Sequence, residues 1–247
     1  MRRLRGSDLQ RDFGGQRMTG GIAVVLRRRK YAVLLALLCV ALAIETFSAR
    51  GGFLSDTVAS VLAFAIWFAV FERRHERAVM AATLIATLAI SWARYLAPTD
   101  RNPAMALATD AVMSLFLWSA VFAILRDLFR TRATGAEDVL GAICGYLIAG
   151  AAWGRINALA YLLVPSAYSI NPQVAALLSD WFGRVALFTY YAFAQVLTIG
   201  YSDVTPVRAP ATTLSLFATL FGVFYTAIVV SVFVGLAQSA RAAGGKE

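Results

Sequence analysis

The stretch best suited to specific chemistry is Thr198–Pro206, with the sequence TIGYSDVTP. It follows an aromatic-rich segment, Phe188–Leu197, and precedes a long apolar run that begins at Ala211. A polar, glycine-containing stretch between two such segments predicts a re-entrant loop, which enters a membrane and leaves on the same side. Non-helical backbone at membrane depth is tolerated only where it is buried in protein or lines a water-filled path. This loop is therefore the first candidate for a functional site.

Residue types that commonly carry catalysis or bind metals are scarce in the sequence. The single histidine, His75, lies in the charged segment FERRHER, which predicts a solvated loop residue and not a ligand or catalytic base. Cys39 and Cys144 lie inside apolar segments, so we expect buried free thiols and neither a disulfide nor a metal site. The clustered intramembrane groups that a membrane enzyme needs are absent from the sequence. We expect no enzymatic activity and no cofactor.

The composition is that of an integral membrane protein. Of the 247 residues, 60% are hydrophobic and 15% are charged, against about 45–50% and about 25% in soluble domains. A formal net charge of +9 would suggest nucleic-acid binding in a soluble protein. The distribution of the charges along the chain explains their excess better, and we expect no nucleic-acid partner.

Six apolar segments predict an all-α protein with six transmembrane helices. Each is long enough to cross a hydrocarbon core of about 30 Å, the shortest only just. The segments are Tyr31–Phe47, Phe53–Phe71, Ala78–Ala97, Pro103–Leu125, Val139–Val164 and Ala211–Ala237. The candidate loop lies between the fifth and the sixth.

Basic residues are unequally divided between the two sides of this layout. Seventeen of the 23 lysines and arginines lie in the two tails and in the loops after the second and fourth segments, and six lie on the other side. Under the positive-inside rule both termini are cytoplasmic, and the re-entrant loop enters from outside the cell membrane. Residues 1–30 are then a basic cytoplasmic tail whose last four basic residues are placed to contact anionic lipid headgroups. A simple topology anchor is an equally good interpretation of that cluster.

From Val139 to Gly235 the sequence resembles the two-helix pore module of bacterial ion-channel-family potassium channels. Three runs carry the resemblance: LIAGAAWGRINALAYLLVP, LFTYYAFAQVLTIGYSDVTP and FATLFGVFYTAIVVSVFVGL. The resemblance implies a re-entrant pore helix and a selectivity filter whose backbone carbonyls replace the hydration shell of an ion. Residues 133–238 are then a pore domain, residues 31–132 a four-helix membrane domain matched only in plan, and residues 239–247 a short cytoplasmic tail. One filter per chain further implies a homotetrameric pore.

The resemblance assigns roles to individual residues. Five residues match the filter positions in order: Thr198, Ile199, Gly200, Tyr201 and Ser202. The carbonyls of the first four would bind K+. Asp203 matches the acid outside the filter, where four copies would concentrate cations at the outer mouth. Tyr190 and Tyr191 match paired aromatics that surround the filter. Gly222 has the spacing of a gating hinge, although a mid-helix glycine also permits close helix packing.

Three residues depart from the family pattern. Ser202 replaces a glycine whose backbone is often left-handed, a geometry that costs a non-glycine residue about 1–2 kcal/mol. Leu197 stands where the family usually has a second threonine, and Ala194 where some members have an acid behind the filter. Both changes remove hydrogen-bonded support of the filter. The resemblance implies a potassium-selective channel, and the departures leave open a weakly selective monovalent cation channel or a non-conducting membrane subunit.

The four segments before the pore domain follow a voltage-sensor plan without its charges. Voltage sensing needs several arginines on the fourth helix, because each charge gains about 2.3 kcal/mol per 100 mV. The fourth segment has no basic residue before Arg126, and Arg126 and Arg130 at its cytoplasmic end are typical snorkelling anchors. We expect weak or absent voltage dependence. A secondary transporter is disfavoured, because it predicts two interrupted helices and only one interruption is present.

Ionisable residues inside the apolar segments are expected to pair. We expect Arg94 to pair with Asp110 or Glu45 and so to hold the bundle together, although contact of each with interfacial water is an equally good interpretation. Arg155 either marks the point where the fifth helix leaves the hydrocarbon or pairs with an acid such as Asp110 or Asp180.

Overall fold

The computed structural model describes residues 29–47, 53–71, 74–96, 103–130, 136–179, 181–200 and 202–244. The α-helices in these ranges are α1 (Lys30–Phe47), α2 (Phe53–Val70), α3 (Arg74–Leu96), α4 (Pro103–Arg130), α5 (Ala136–Leu163), α6 (Trp181–Val196) and α7 (Ala209–Gly244). Between α5 and α7 lie two short 3-10 helices, Pro165–Ala167 and Ala175–Ser179, and two strands, β1 (Tyr168–Ile170) and β2 (Val204–Pro206). Most of the predicted N-terminal tail lies outside the described residues.

Local sequence chemistry explains several helix starts. Pro103 is the first residue of α4, and Pro210 is the second residue of α7. The fixed φ of proline and its missing N–H suit the first helical turn, where the N–H has no intrahelical acceptor. Glu137 and Asp138 lie in the first turn of α5, where the helix dipole stabilises negative charge.

The six predicted apolar segments all form helices, α1 to α5 and α7. Their ends agree with the prediction within a few residues, except that α4 continues to Arg130 and α7 to Gly244. By length and composition, four helices could cross a membrane, with apolar windows at Glu76–Ala93, Ala104–Arg130, Glu137–Leu163 and Ala209–Phe233. The described apolar parts of α1 and α2, Lys30–Ile44 and Thr57–Val70, are shorter. These helices are those of a membrane protein, and the count of six spans stays a prediction.

One hydrophobic core joins α1, α2, α4 and α5. Its most buried large side chains include Leu34, Ile66, Phe116 and Ile148, one from each of these helices. Small residues on α5 (Ala149 and Ala152 among them) are fully buried in the same core. Small side chains permit close approach of helix backbones. Of the helices that precede α5, α1 and α4 pack directly against it, whereas α2 packs on α1 and α4, and α3 packs on α2 and α4.

On the predicted cytoplasmic side, α3 and α4 are joined by an ion pair. The guanidinium of Arg126 donates two hydrogen bonds to the carboxylate of Glu76, the second between Nη2 and Oε2 at 2.9 Å. Arg126 thus has a specific partner and is more than a snorkelling anchor. Both cysteines are free, as expected, and Cys144 is buried. Cys39 is exposed on the chain, so the expectation of burial is wrong there.

A small sheet, which the sequence did not predict, connects the loop after α5 to the segment before α7. β1 and β2 are antiparallel, with Tyr168 opposite Pro206, Ser169 opposite Thr205 and Ile170 opposite Val204. It covers a cluster of buried residues on α5, α6 and α7. The sheet brings a loop 30 residues away in sequence to the end of the candidate filter.

Candidate functional site

The candidate loop turns back across the C-terminus of α6. The N–H of Thr198 donates to the carbonyl of Gln195 at 2.9 Å, and the N–H groups of Ile199 and Gly200 both reach the carbonyl of Ala194, at 2.9 and 3.1 Å. The last four carbonyls of an α-helix lack intrahelical partners. The loop therefore supplies donors that α6 needs, and α6 fixes the loop through backbone bonds.

Two loop residues have left-handed backbone, Thr198 with φ 58° and Gly200 with φ 80°. Glycine adopts this conformation at no steric cost, whereas threonine costs about 1–2 kcal/mol. Such strain clusters at functional sites. In the described part of the chain, no hydrogen bond reaches the carbonyl oxygens of Thr198, Ile199 and Gly200. These oxygens are available to coordinate a cation. Tyr201, the fourth predicted carbonyl ligand, lies outside the described residues.

Ser202 does not keep the left-handed backbone of the glycine that it replaces. Among the described residues, Thr198 is the only non-glycine residue with positive φ. The Ser202 hydroxyl oxygen accepts a hydrogen bond from the N–H of Val204 at 3.2 Å, which is a local serine turn. The cost expected for a left-handed serine is therefore not incurred at this position.

Asp203 contacts the loop that follows α5. The side-chain amide of Asn171 donates to Asp203 Oδ1 at 2.8 Å, and the Asn171 N–H donates to the Asp203 carbonyl, also at 2.8 Å. Asn171 Oδ1 accepts from the N–H of Gln173 at 3.1 Å. The two residues continue the sheet, because Asn171 follows β1 and Asp203 precedes β2. Sequence reasoning missed Asn171, whose only signal was its place in an Asn-Pro turn.

The four residues predicted to support the filter divide into two pairs. Tyr191 and Ala194 are buried, whereas Tyr190 and Leu197 are each 47% exposed on the single chain. The Tyr191 hydroxyl is hydrogen-bonded to Ser215 of α7. Its ring packs edge-on to those of Tyr168 and Phe188. Tyr191 thus ties α6 to α7, and the aromatic ring around the filter stays a prediction.

Gly222 of α7 lies against the C-terminus of α6. A Cβ atom at this position would collide with the carbonyl oxygen of Val196. The same oxygen accepts a hydrogen bond from the Tyr146 hydroxyl of α5 at 3.0 Å. The glycine therefore permits close packing of α7 on α6, one of the two roles proposed from the sequence. Its role as a gating hinge stays a prediction.

A buried charge cluster lies behind α6. Asp110 of α4 is fully buried, with Oδ1 at 3.3 Å from Nη1 of Arg155 and Oδ2 at 3.9 Å from Nη2 of Arg184. The Arg155 guanidinium also lies over the Trp181 ring, at 4.8 Å from its centroid. The structure confirms the Arg155–Asp110 pair and gives Asp110 partners on α5 and α6. The predicted pairing of Arg94 with Asp110 or Glu45 stays a prediction. The side chains of Arg94 and Glu45, and residue Asp180, lie outside the described residues. Arg184 was missed, since the sequence shows only an interfacial charge.

Residues 173–239 match the family model described as "Ion channel". This match supports an ion channel. It begins in the loop after α5, covers α6, the candidate filter and most of α7, and leaves α1 to α5 unmatched. The chain matches no curated protein and no solved structure. Ion channel domains are not enzymatic, and the protein is accordingly not an enzyme.

Proposed function

We propose that the protein is a potassium-selective channel that conducts K+ passively across the cell membrane through a homotetrameric pore. One observation carries the proposal. The N–H groups of Thr198, Ile199 and Gly200 are bonded to α6, while no described residue bonds to their carbonyls. Four such loops around one axis would offer rings of carbonyl oxygens that replace the water around K+. The ion channel match covers the same segment.

In this proposal the residues from 198 to 201 supply the ion-binding carbonyls, Ser202 ends the filter, and Asp203 lies at its outer mouth. The C-terminus of α6 points its partial negative charge toward the inner end of the filter. A helix C-terminus carries about half a negative charge and so stabilises a cation that approaches it. Attraction of cations at both ends of the filter would favour their entry.

Exposed apolar side chains on the single chain support assembly. Tyr190, Leu197 and Ile199 are each close to half exposed around the loop, and Phe217 and Phe224 of α7 are 55% and 58% exposed. Large apolar patches mark protein or membrane contacts. Residues beside the filter face neighbouring subunits in the proposed tetramer, and other exposed residues face lipid. The basic tail would contact anionic headgroups from the cytoplasmic side, where both termini lie.

The test is ion flux through purified protein in liposomes. We expect K+ flux that Ba2+ blocks, and a reversal potential that follows the K+ gradient. Gly200→Ala changes a residue with positive φ in the candidate filter and should reduce flux strongly. Gly235→Ala is the matched glycine control, because a Cβ atom there meets nothing within 4 Å. Equal Na+ and K+ permeability would favour the weakly selective channel, and absence of flux would favour a non-conducting subunit.

A further inference from the structure

We propose that Asn171 is a positioning residue for the outer end of the filter, and that its hydrogen bond to Asp203 sets how strictly the pore selects K+ over Na+. The inference rests on the proposed channel function. It concerns a residue of the loop after α5, distant in sequence from the filter. The bond from the Asn171 side chain to Asp203 is 2.8 Å long.

The inner part of the filter has little side-chain support. Ala194 has no hydrogen-bonding side chain, and Leu197 is apolar and half exposed. This part is therefore held by the backbone bonds from the N–H groups of residues 198 to 200 to carbonyls at the end of α6. Among the described residues these bonds reach as far as Gly200, and the segment that begins at Ser202 is held by other contacts.

The contacts of Asn171 anchor this segment. Its backbone and its side chain both bond to Asp203, one residue beyond the filter. Its Oδ1 is held in turn by the N–H of Gln173 at 3.1 Å. The side-chain amide therefore has a fixed direction, with the Nδ2 donor aimed at the carboxylate.

The sheet connects this contact to the body of the protein. Tyr168, at the start of β1, donates a hydrogen bond of 2.9 Å to Oδ1 of Asn157 on α5. Asn157 is fully buried and its amide donates to the carbonyl of Trp153 at 2.9 Å. The bond of Tyr168 to Asn157, the backbone of β1 and the bonds of Asn171 thus connect α5 to Asp203. Motion of the filter exit relative to α5 is restrained by these contacts.

The chemistry of an amide suits this position. A lysine or arginine beside Asp203 would fix the carboxylate but would also cancel its charge. Asn171 donates a hydrogen bond without adding positive charge, so the carboxylate keeps its attraction for cations. Hydrogen bonds to a charged acceptor are stronger than neutral ones. The pair therefore positions the acid and leaves its electrostatic effect intact.

The experiment compares Asn171→Asp, Asp203→Asn and the double variant in planar bilayers, with the Na+/K+ permeability ratio read from bi-ionic reversal potentials. Asn171→Asp keeps the acceptor for Gln173 and replaces only the donor, so two carboxylates face each other. We expect the ratio to rise about tenfold, as expected when a hydrogen bond to a charged group is lost. In the double variant the carboxylate lies at position 171 and the amide donor at position 203, so one donor again faces one carboxylate. We expect it to return the ratio to near the wild-type value.

Ser169→Ala is the control, since Ser169 is an exposed polar residue on the same strand. It should leave the ratio unchanged. A merely structural role for Asn171 would lower the yield of tetramer without changing the ratio, and that result would overturn the inference. An unchanged ratio in Asn171→Asp, or failure of the double variant to recover, would also overturn it. Wild-type protein without flux would instead overturn the channel function on which the inference rests.

Discussion

Thr198 holds a left-handed backbone at the point where the chain leaves α6, whereas Ser202 adopts an ordinary conformation and bonds to Val204. The strain of the loop therefore lies at its inner end. The candidate filter positions could be predicted from the sequence because they are consecutive and depend on residue type. The Asn171–Asp203 contact was not, since it joins residues that are adjacent only once the chain has folded. The same is true of Arg184, because its contact with Asp110 joins residues of α6 and α4 that are distant in sequence.

Ser202→Gly tests the effect of this departure from the family pattern. Glycine allows the left-handed backbone that serine avoids and removes the bond to Val204. If the proposed channel function holds, we expect a lower Na+/K+ permeability ratio, because the candidate filter can then adopt the left-handed backbone that a glycine permits at this position. Ser202→Ala is the matched variant, since it removes the hydroxyl without adding freedom at φ. Ratios that are equal in the two variants and differ from the wild-type ratio would show that the hydroxyl matters and the backbone does not.

Tyr168→Phe tests the buried bond that anchors the sheet. Loss of the phenolic hydroxyl leaves the buried Oδ1 of Asn157 without this hydrogen-bond donor. We therefore expect the free energy of unfolding to fall by about 1–3 kcal/mol. Burial also raises the pKa of Tyr168 above its usual value. As the pH rises, the Tyr168 hydroxyl therefore loses its proton in the unfolded chain before it does so in the folded chain. The stabilisation that this hydroxyl gives the folded state is fully present below pH about 10 and declines above it. In detergent, the thermal unfolding temperature should fall more steeply with pH above about 10 for the wild type than for the variant.

At the scale of elements, length and apolar composition were sufficient to place six of the seven helices, and the segment before the loop was recognised as aromatic. The sheet was not predictable, because strands of three residues have little propensity of their own. They form because contacts of Tyr168 with Asn157 on α5 and Tyr191 on α6 place β1 beside β2. Two contacts between helices carry testable consequences: the cluster at Asp110 and the packing at Gly222.

Asp110→Asn removes the carboxylate from two buried arginines. Removing one partner of a buried ion pair typically costs about 3–5 kcal/mol, because the remaining charge is left in low dielectric. We expect a clear fall in the thermal unfolding temperature of the detergent-solubilised protein. Asp127→Asn is the control on the same helix, where a 38% exposed carboxylate contacts Arg126. That change should cost no more than about 1 kcal/mol. Equal effects of the two changes would contradict the structural importance of the cluster.

Gly222→Ala distinguishes packing from a pure hinge. The added methyl group meets the carbonyl of Val196, so α6 and α7 must separate. We expect a loss of about 1–3 kcal/mol in stability, as in overpacked cores. Gly235→Ala places a methyl group in open space, so it should not lower stability and should raise it by at most about 1 kcal/mol through helix propensity. If Gly222→Ala keeps wild-type stability and alters only the open probability, the hinge is the better explanation.

At the scale of the whole molecule, helices α1 to α4 share one hydrophobic core with α5. Phe116 and Ile148 are buried in that one core, and Asp110 links α4 to α5 and α6. The ring of Trp118 on α4 lies 5.4 Å from that of Trp153 on α5 and 5.5 Å from that of Phe221 on α7. Helix α4 thus contacts all three helices of the proposed pore domain, α5, α6 and α7. Sequence alone could give the number and order of the helices but not this packing, which depends on which faces meet.

This arrangement leads to a prediction for voltage dependence. A sensor must move charge through the membrane field, and each charge moved across 100 mV gains about 2.3 kcal/mol. On α4 two charges are held by partners on other helices, Asp110 by Arg155 and Arg184, and Arg126 by Glu76. Displacement of α4 would break these pairs and disrupt the shared core. We therefore expect a shallow conductance–voltage relation.

The measurement is the conductance of wild-type channels in planar bilayers between −100 and +100 mV, a range of about 200 mV over which one gating charge would gain about 4.6 kcal/mol. We expect the open probability to change by less than about tenfold, which corresponds to about 1.4 kcal/mol. Arg126→Gln, which breaks the pair with Glu76, is the useful comparison, because a sensing role would make the relation shallower still or shift its midpoint. A steep relation in wild type that Arg126→Gln flattens would show that α4 moves in the field despite its packing.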